Sequence, residues 1–176
     1  MGLTSQERLQ PSLLDRLTDT DRGSSRESLD ARVLNKNQLR AAVLRDLSWL
    51  LNSTCEEPDA LSPDRERVAL WKELKEAAGS VANFGVPALS GRSITRLQFP
   101  AVEQGLRQAI LRFEPRIDAK TLQVEVSNDP AEGLRPASLR ITIRGQLWNQ
   151  PVPLELLLSA DVDVDTGQAS VRDLRA

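Results

Sequence analysis

Between Ala101 and Phe113 the apolar residues Val102, Leu106, Ala109, Ile110 and Phe113 recur at the three- and four-residue intervals that gather one face of an α-helix. Pro115 is expected to end that helix, because proline disfavours helical backbone in the residue before it and has no N–H for the next turn. The period then changes. Leu122, Val124 and Val126 alternate with polar residues, and so do Leu139, Ile141 and Ile143, which is the two-residue period of half-buried strands. Segments 122–126, 139–147 and 153–161 are therefore expected to pair as an antiparallel meander. Asn128-Asp129-Pro130 through Pro136 would form the first connection and Asn149-Gln150-Pro151 the second. Asp165-Thr166-Gly167 reads as a tight turn into a short last strand over 168–174. The ends of such a sheet leave backbone donors and acceptors unpaired unless something covers them.

Upstream, the stretch from Asn37 to Asn52 sets Leu39, Val43, Leu47, Leu50 and Leu51 on an inner helical face, with Arg40, Arg45 and Asp46 away from it and Trp49 off the stripe. After a loop at Glu56-Glu57-Pro58-Asp59, Ser62 as N-cap and Pro63 at the first helical position predict a helix to about Ala78, marked by Val68, Trp71, Leu74 and Lys75. Ser80 to Gly91 reads as an irregular turn that packs Val81, Phe84, Val86 and Leu89 inward, with Gly85 and Gly91 supplying unusual backbone angles. Asn83 is placed to satisfy the turn's own backbone. Residues 1–32 are polar and charged with a short apolar insert at Leu9, Leu13, Leu14 and Leu17, the pattern of a short helix with one apolar side, and residues 19–28 follow as a flexible linker. That helix either packs back on its own domain or docks in a partner's groove. The whole reads as an α+β fold, N-terminal helices packed on a small antiparallel sheet of three to four strands, with an anchor and linker over 1–32 and one domain over 33–176.

Composition narrows the function by exclusion. At 176 residues and 40% hydrophobic, the chain can bury one ordinary core. Its 23 basic and 25 acidic residues leave a formal charge of −2 and no isolated basic block, so nucleic acid is not an expected partner. No signal-like or membrane-spanning apolar run occurs, and the single cysteine, Cys55, has no internal disulfide partner, so a cytoplasmic protein is expected. The absence of histidine removes Ser-His, Cys-His and histidine–metal arrangements, and no glycine-rich loop ends in Gly-Lys-Ser/Thr. Neither a metal nor a cofactor is expected. Two-carboxylate glycoside hydrolysis is the remaining catalytic route, but Arg116 stands two residues from Glu114 and favours a charged carboxylate over a proton donor. Aromatic platforms for sugars are scarce at 3% of the chain.

Glu114, Pro115 and Arg116 carry the sharpest expectation. An exposed Glu/Arg pair beside a helix-ending proline is often a local cap, worth about 0–1 kcal/mol. Alternatively the proline makes a rigid corner in which Arg116 forks onto a carboxylate or onto a partner's carbonyls and Glu114 accepts from backbone amides. On that second reading the corner docks a partner, and Arg116→Ala is expected to remove the contact while leaving folding largely intact.

Four words occur in order: Val43-Leu44-Arg45-Asp46-Leu47-Ser48-Trp49-Leu50-Leu51-Asn52, Ser80-Val81-Ala82-Asn83-Phe84-Gly85-Val86-Pro87-Ala88-Leu89-Ser90-Gly91, Phe113-Glu114-Pro115-Arg116, and Gly145-Gln146-Leu147-Trp148-Asn149-Gln150-Pro151-Val152-Pro153. Together with Pro11-Ser12-Leu13-Leu14-Asp15-Arg16-Leu17 they resemble TssE, the small baseplate subunit of the bacterial type VI secretion system, a family similar to a wedge protein of contractile phage tails and sometimes labelled lysozyme-like. The connection from Ser53 to Ala78 is longer than that family pattern. The resemblance implies a non-enzymatic baseplate component beside TssF and TssG, with TssK a further candidate, that meets the sheath subunits TssB and TssC by strand addition at a baseplate docked on the inner-membrane complex. It implies partner contacts at Glu114, Pro115 and Arg116 and at Leu13, Leu14, Arg16 and Leu17. A cytosolic protein-binding adaptor of the same fold and a peptidoglycan hydrolase are the alternatives.

Overall fold

The computed structural model describes residues 13–17, 34–58, 64–89, 97–128, 137–148 and 153–175. Helix α1 is the short Leu13–Leu17. Helix α2, Lys36–Leu51, opens with a reciprocal capping box in which Asn35 Oδ1 accepts from Gln38 N–H and Gln38 Oε1 accepts from Asn35 N–H. Its expected stripe of Leu39, Val43, Leu47, Leu50 and Leu51 is buried throughout, and Trp49 stands outside it, half exposed.

The next segment departs from expectation. Helix α3 runs Arg65–Glu73 with Asp64 as its cap, accepting from Arg67 N–H, in place of Ser62; Ser62 and Pro63 lie outside the described residues. It breaks at Leu74, and α4 covers only Lys75–Gly79. Val68 and Ala78 are buried, but Leu70, Leu74 and Lys75 are exposed. The physical reason is placement: α3 and α4 pack mainly on each other and on the following 3-10 turn Val81–Asn83, away from the sheet. Val81 likewise points outward, at 86% exposure, whereas Val86 and Leu89 are buried as expected.

Asn83 is buried and bonds more widely than its own turn. Its Oδ1 accepts from Glu57 N–H and its Nδ2 donates to Ala78 O and Glu57 Oε2. The next turn is fixed by Gly85, at φ +139°, where an added Cβ would stand 2.6 Å from the backbone oxygen of Ser53. That approach lets Val86 N–H donate to Ser53 O while Cys55 N–H donates to Val86 O, forming a parallel bridge between Thr54 and Val86. Gly91 lies outside the described residues.

Helix α5, Phe99–Phe113, carries Pro100 in its first turn, where a missing N–H costs nothing. Leu106, Ala109 and Ile110 are buried and Val102 and Phe113 pack against the core, as their spacing predicts. Four strands follow: β1 Gln123–Ser127, β2 Ser138–Leu147, β3 Leu154–Asp163 and β4 Ala169–Asp173, antiparallel and in sequential order. The pairs Val124↔Ile143 and Ile143↔Leu158, and Ile141↔Ala160 and Ala160↔Val171, put two apolar rows on one face of the sheet, and α2 and α5 bury that face. The β3–β4 turn is closed by Asp163 Oδ1, which accepts from the N–H groups of Asp165 and Thr166, with Gly167 at φ 76°. The α+β meander is therefore as read from the pattern. The connections centred on Asp129-Pro130 and Gln150-Pro151, and the segment 19–28, lie outside the described residues.

Candidate functional site

Helix α5 stops where its stripe meets Pro115: Glu114 N–H donates to Ile110 O as the last helical bond, and the chain turns so that Trp148 N–H donates to Arg116 O at 2.7 Å. The turn points the Glu114 side chain inward, to 2% exposure. Arg116 lies over it as a fork, Nε to Oε1 at 2.7 Å and Nη2 to Oε2 at 2.5 Å, while Arg116 N–H donates to Oε1 at 3.2 Å. Arg116 Nη2 also donates to Asp46 Oδ2 on α2 at 2.5 Å. The chain of charges continues. Asp46 Oδ1 accepts from Arg45 Nε at 2.9 Å, and Arg45 Nη1 donates to Asp15 Oδ1 on α1 at 2.7 Å. Five side chains from α1, α2 and the corner thus form one ionic line, and the Arg45 guanidinium lies 5.3 Å from the centre of the Trp49 ring.

The electrostatics follow the geometry. Burial works against the charge of Arg116, but the hydrogen bonds and charges of Glu114 and then Asp46 outweigh it and hold its pKa above the ordinary arginine value. The hydrogen bond to Asp46 raises the pKa of Arg45, burial opposes it, and Asp15 adds to the rise. Both guanidinium groups are locked in the charged form. The expected fork of Arg116 onto a carboxylate is present, but both carboxylates belong to its own chain. Arg116→Ala would therefore leave a buried Glu114 without its cation, so the expectation of a largely intact fold is revised.

Of the other singled-out residues, Pro115 is exposed, as are Leu14 and Leu17, while the side chains of Leu13 and Arg16 lie outside the described residues. Asp15, Arg45 and Asp46 complete the ionic line, and sequence reasoning did not assign them to it. Trp148, half exposed just beyond β2, flanks the corner on the other side. Cys55 sits in the bridge beside Val86, and burial, reinforced by the charge of Glu57, raises its thiol pKa.

The two edges of the sheet differ. At β1, α5 caps part of the edge: Glu103 Oε1 accepts from Val126 N–H, and Arg107 Nε donates to Leu122 O just before the strand. On β4 only Ala169 is capped, by the side chain of Asn52, which accepts from its N–H and donates to its C=O. Antiparallel alternation then turns the N–H and C=O of Val171 and Asp173 outward, with no partner among the described residues. No described helix is long and apolar enough to cross a membrane.

A family model described as baseplate wedge protein gp25 matches residues 37–152, roughly two-thirds of the chain, from α2 through β2. No curated protein and no solved structure matches. The matched span contains α2, the Gly85 bridge, α5 and the whole Glu114-Pro115-Arg116 corner, and with it this chain belongs to the baseplate wedge protein gp25 family, which includes TssE.

Proposed function

We propose that the protein is the TssE-type connector of a type VI secretion baseplate, joining the wedge to the first ring of the contractile sheath. The observation that carries this reading is the open edge of the sheet at β4, where Val171 and Asp173 keep outward donors and acceptors among the described residues. Such an edge accepts an extended strand by backbone hydrogen bonds. The sheath subunits TssB and TssC would supply it, and the connector would help to nucleate sheath assembly.

The wedge side of the connector is assigned to the Glu114-Pro115-Arg116 corner and to α1. Exposed Pro115, the rim of Arg116 and Glu114 behind it would meet TssF and TssG, with TssK as a further neighbour, and Leu13, Leu14, Arg16 and Leu17 on α1 would anchor in a groove of the wedge. The protein works in the cytoplasm, at a baseplate docked on the inner-membrane complex, and catalyses no reaction. Membership of a baseplate family supports this structural role.

Affinity co-purification of the tagged chain from its native cell tests the assignment. Val171→Pro deletes an outward N–H on an edge strand, where proline is tolerated. It is expected to retain TssF and TssG and lose the sheath subunits, with unchanged circular dichroism. Undiminished recovery of sheath subunits by the folded variant would remove β4 from the mechanism, and recovery of none of these partners by the wild type would overturn the reading as a whole.

A further inference from the structure

Arg45 is the least satisfied member of the ionic line. Its Nε holds Asp46 and its Nη1 holds Asp15, while Nη2 is buried and has no partner among the described residues. A guanidinium offers paired donors in one plane, and a carboxylate set across Nη1 and Nη2 would take two parallel bonds where the Asp15 contact uses Nη1. Beside this vacant donor stands the half-exposed ring of Trp49, 5.3 Å from the guanidinium carbon. Tryptophan and arginine together are the residue types that most often dominate the energy of a protein interface.

The segment seated at this place shows what fits it. Helix α1 reads Leu-Leu-Asp-Arg-Leu and presents Asp15 to Arg45, while Leu14 and Leu17 remain exposed. We propose that Arg45 and Trp49 form a docking site for an amphipathic helix bearing a carboxylate between leucines, and that α1 fills this site in cis until a partner helix of the same pattern replaces it. The exchange releases α1 as a whole, with its already exposed Leu14 and Leu17, for the wedge groove, so this step rests on the reading of α1 as an anchor. It also reaches the corner, because Arg45 shares Asp46 with Arg116.

The purified full-length chain and a dye-labelled peptide of residues 9–20 test the site by fluorescence anisotropy. Residues 18–35 join α1 to α2, and a tether of this order sets an effective concentration in the millimolar range. A helix held in cis must therefore bind in trans with a Kd below about 1 mM. Asp15→Asn, which weakens the resident helix, is expected to take up the peptide saturably. The wild type, with its site filled, should bind about fivefold or more weakly. Adding Arg45→Gln to Asp15→Asn should abolish uptake, and adding Arg45→Lys, which keeps the charge and loses the fork, should weaken it about tenfold or more. No saturable uptake by Asp15→Asn at several millimolar peptide overturns the proposal, and so does equal uptake by the folded Arg45→Gln variant. The anchor role is read separately: a Leu14→Asp, Leu17→Asp variant that co-purifies normally with the wedge overturns the anchor reading and leaves the peptide result standing.

Discussion

Replacing Arg116 by methionine keeps most of the side chain's aliphatic length and removes its charge, so the effect isolates the ion pair. Glu114 is 2% exposed and receives three hydrogen bonds from Arg116, two from the guanidinium and one from the backbone N–H. Removing one partner of a buried pair costs about 3–5 kcal/mol, because the remaining charge is left uncompensated. Asp46, at 28% exposure and still paired with Arg45, should add no more than about 1 kcal/mol. Glu114→Gln keeps the shape and converts charge-assisted bonds to neutral ones, so a smaller loss of about 1–2 kcal/mol is expected. Arg116→Met with Glu114→Leu replaces both charges by apolar groups and should recover most of the loss. Urea unfolding measures each variant. For Arg116→Met the midpoint should fall by at least about 1 M with an unchanged slope. The cycle should give a coupling above about 1 kcal/mol. A loss below about 1 kcal/mol for Arg116→Met, the size typical of exposed ion pairs, would refute the argument that the corner is a buried structural clasp.

Two further outcomes are expected. Gly85→Ala forces a Cβ to within 2.6 Å of backbone atoms at a φ of +139°, so a loss of about 2 kcal/mol or more is expected, read as a lower Tm in calorimetry; a Tm unchanged from wild type would show that the bridge can relax. The raised thiol pKa of Cys55 means that the folded state holds the proton more tightly than the unfolded chain, so its contribution is complete below the unfolded pKa and is lost as pH rises through the folded one. At pH 8 alkylation of the native protein should be slower than that of glutathione and should accelerate in urea, and equal native and unfolded rates would contradict the burial.

What the sequence revealed followed the range of each signal. Repetition within one element is local, so Leu39, Val43 and Leu47 marked α2, and Leu139, Ile141 and Ile143 marked β2, with boundaries close to those observed. The break at Leu74 had no such marker, since neither proline nor glycine stands there, and the exposure of Val81 depends on where α3 and α4 lie relative to the sheet. Asp64 rather than Ser62 caps α3 because several nearby residues carry the same capping chemistry and only geometry selects one. Glu114 and Arg116 were visible as a pair two residues apart. Their link to Asp46 spans 70 residues, and that of Arg45 to Asp15 spans 30, distances over which no local pattern reports contact. The inward direction of the corner was illegible for the same reason.

The order of the strands has a consequence for how the chain reaches this structure. Every strand pairs with its neighbour in sequence, so the sheet can assemble by closing hairpins, each of which encloses a short loop. Helix α2 is different. Asn52 at its end meets Ala169 across 117 residues, and Arg40 meets Asp173 across 133. Loop closure on that scale carries the larger entropic cost, although the cost grows only logarithmically with length. Formation of the meander before docking of α2 is the order that closes the shortest loops first, and the β4 edge would stand without its Asn52 cap until the helix arrives. The last contact made in folding is then the one that caps Ala169 and narrows the open part of β4 to Val171 and Asp173 among the described residues.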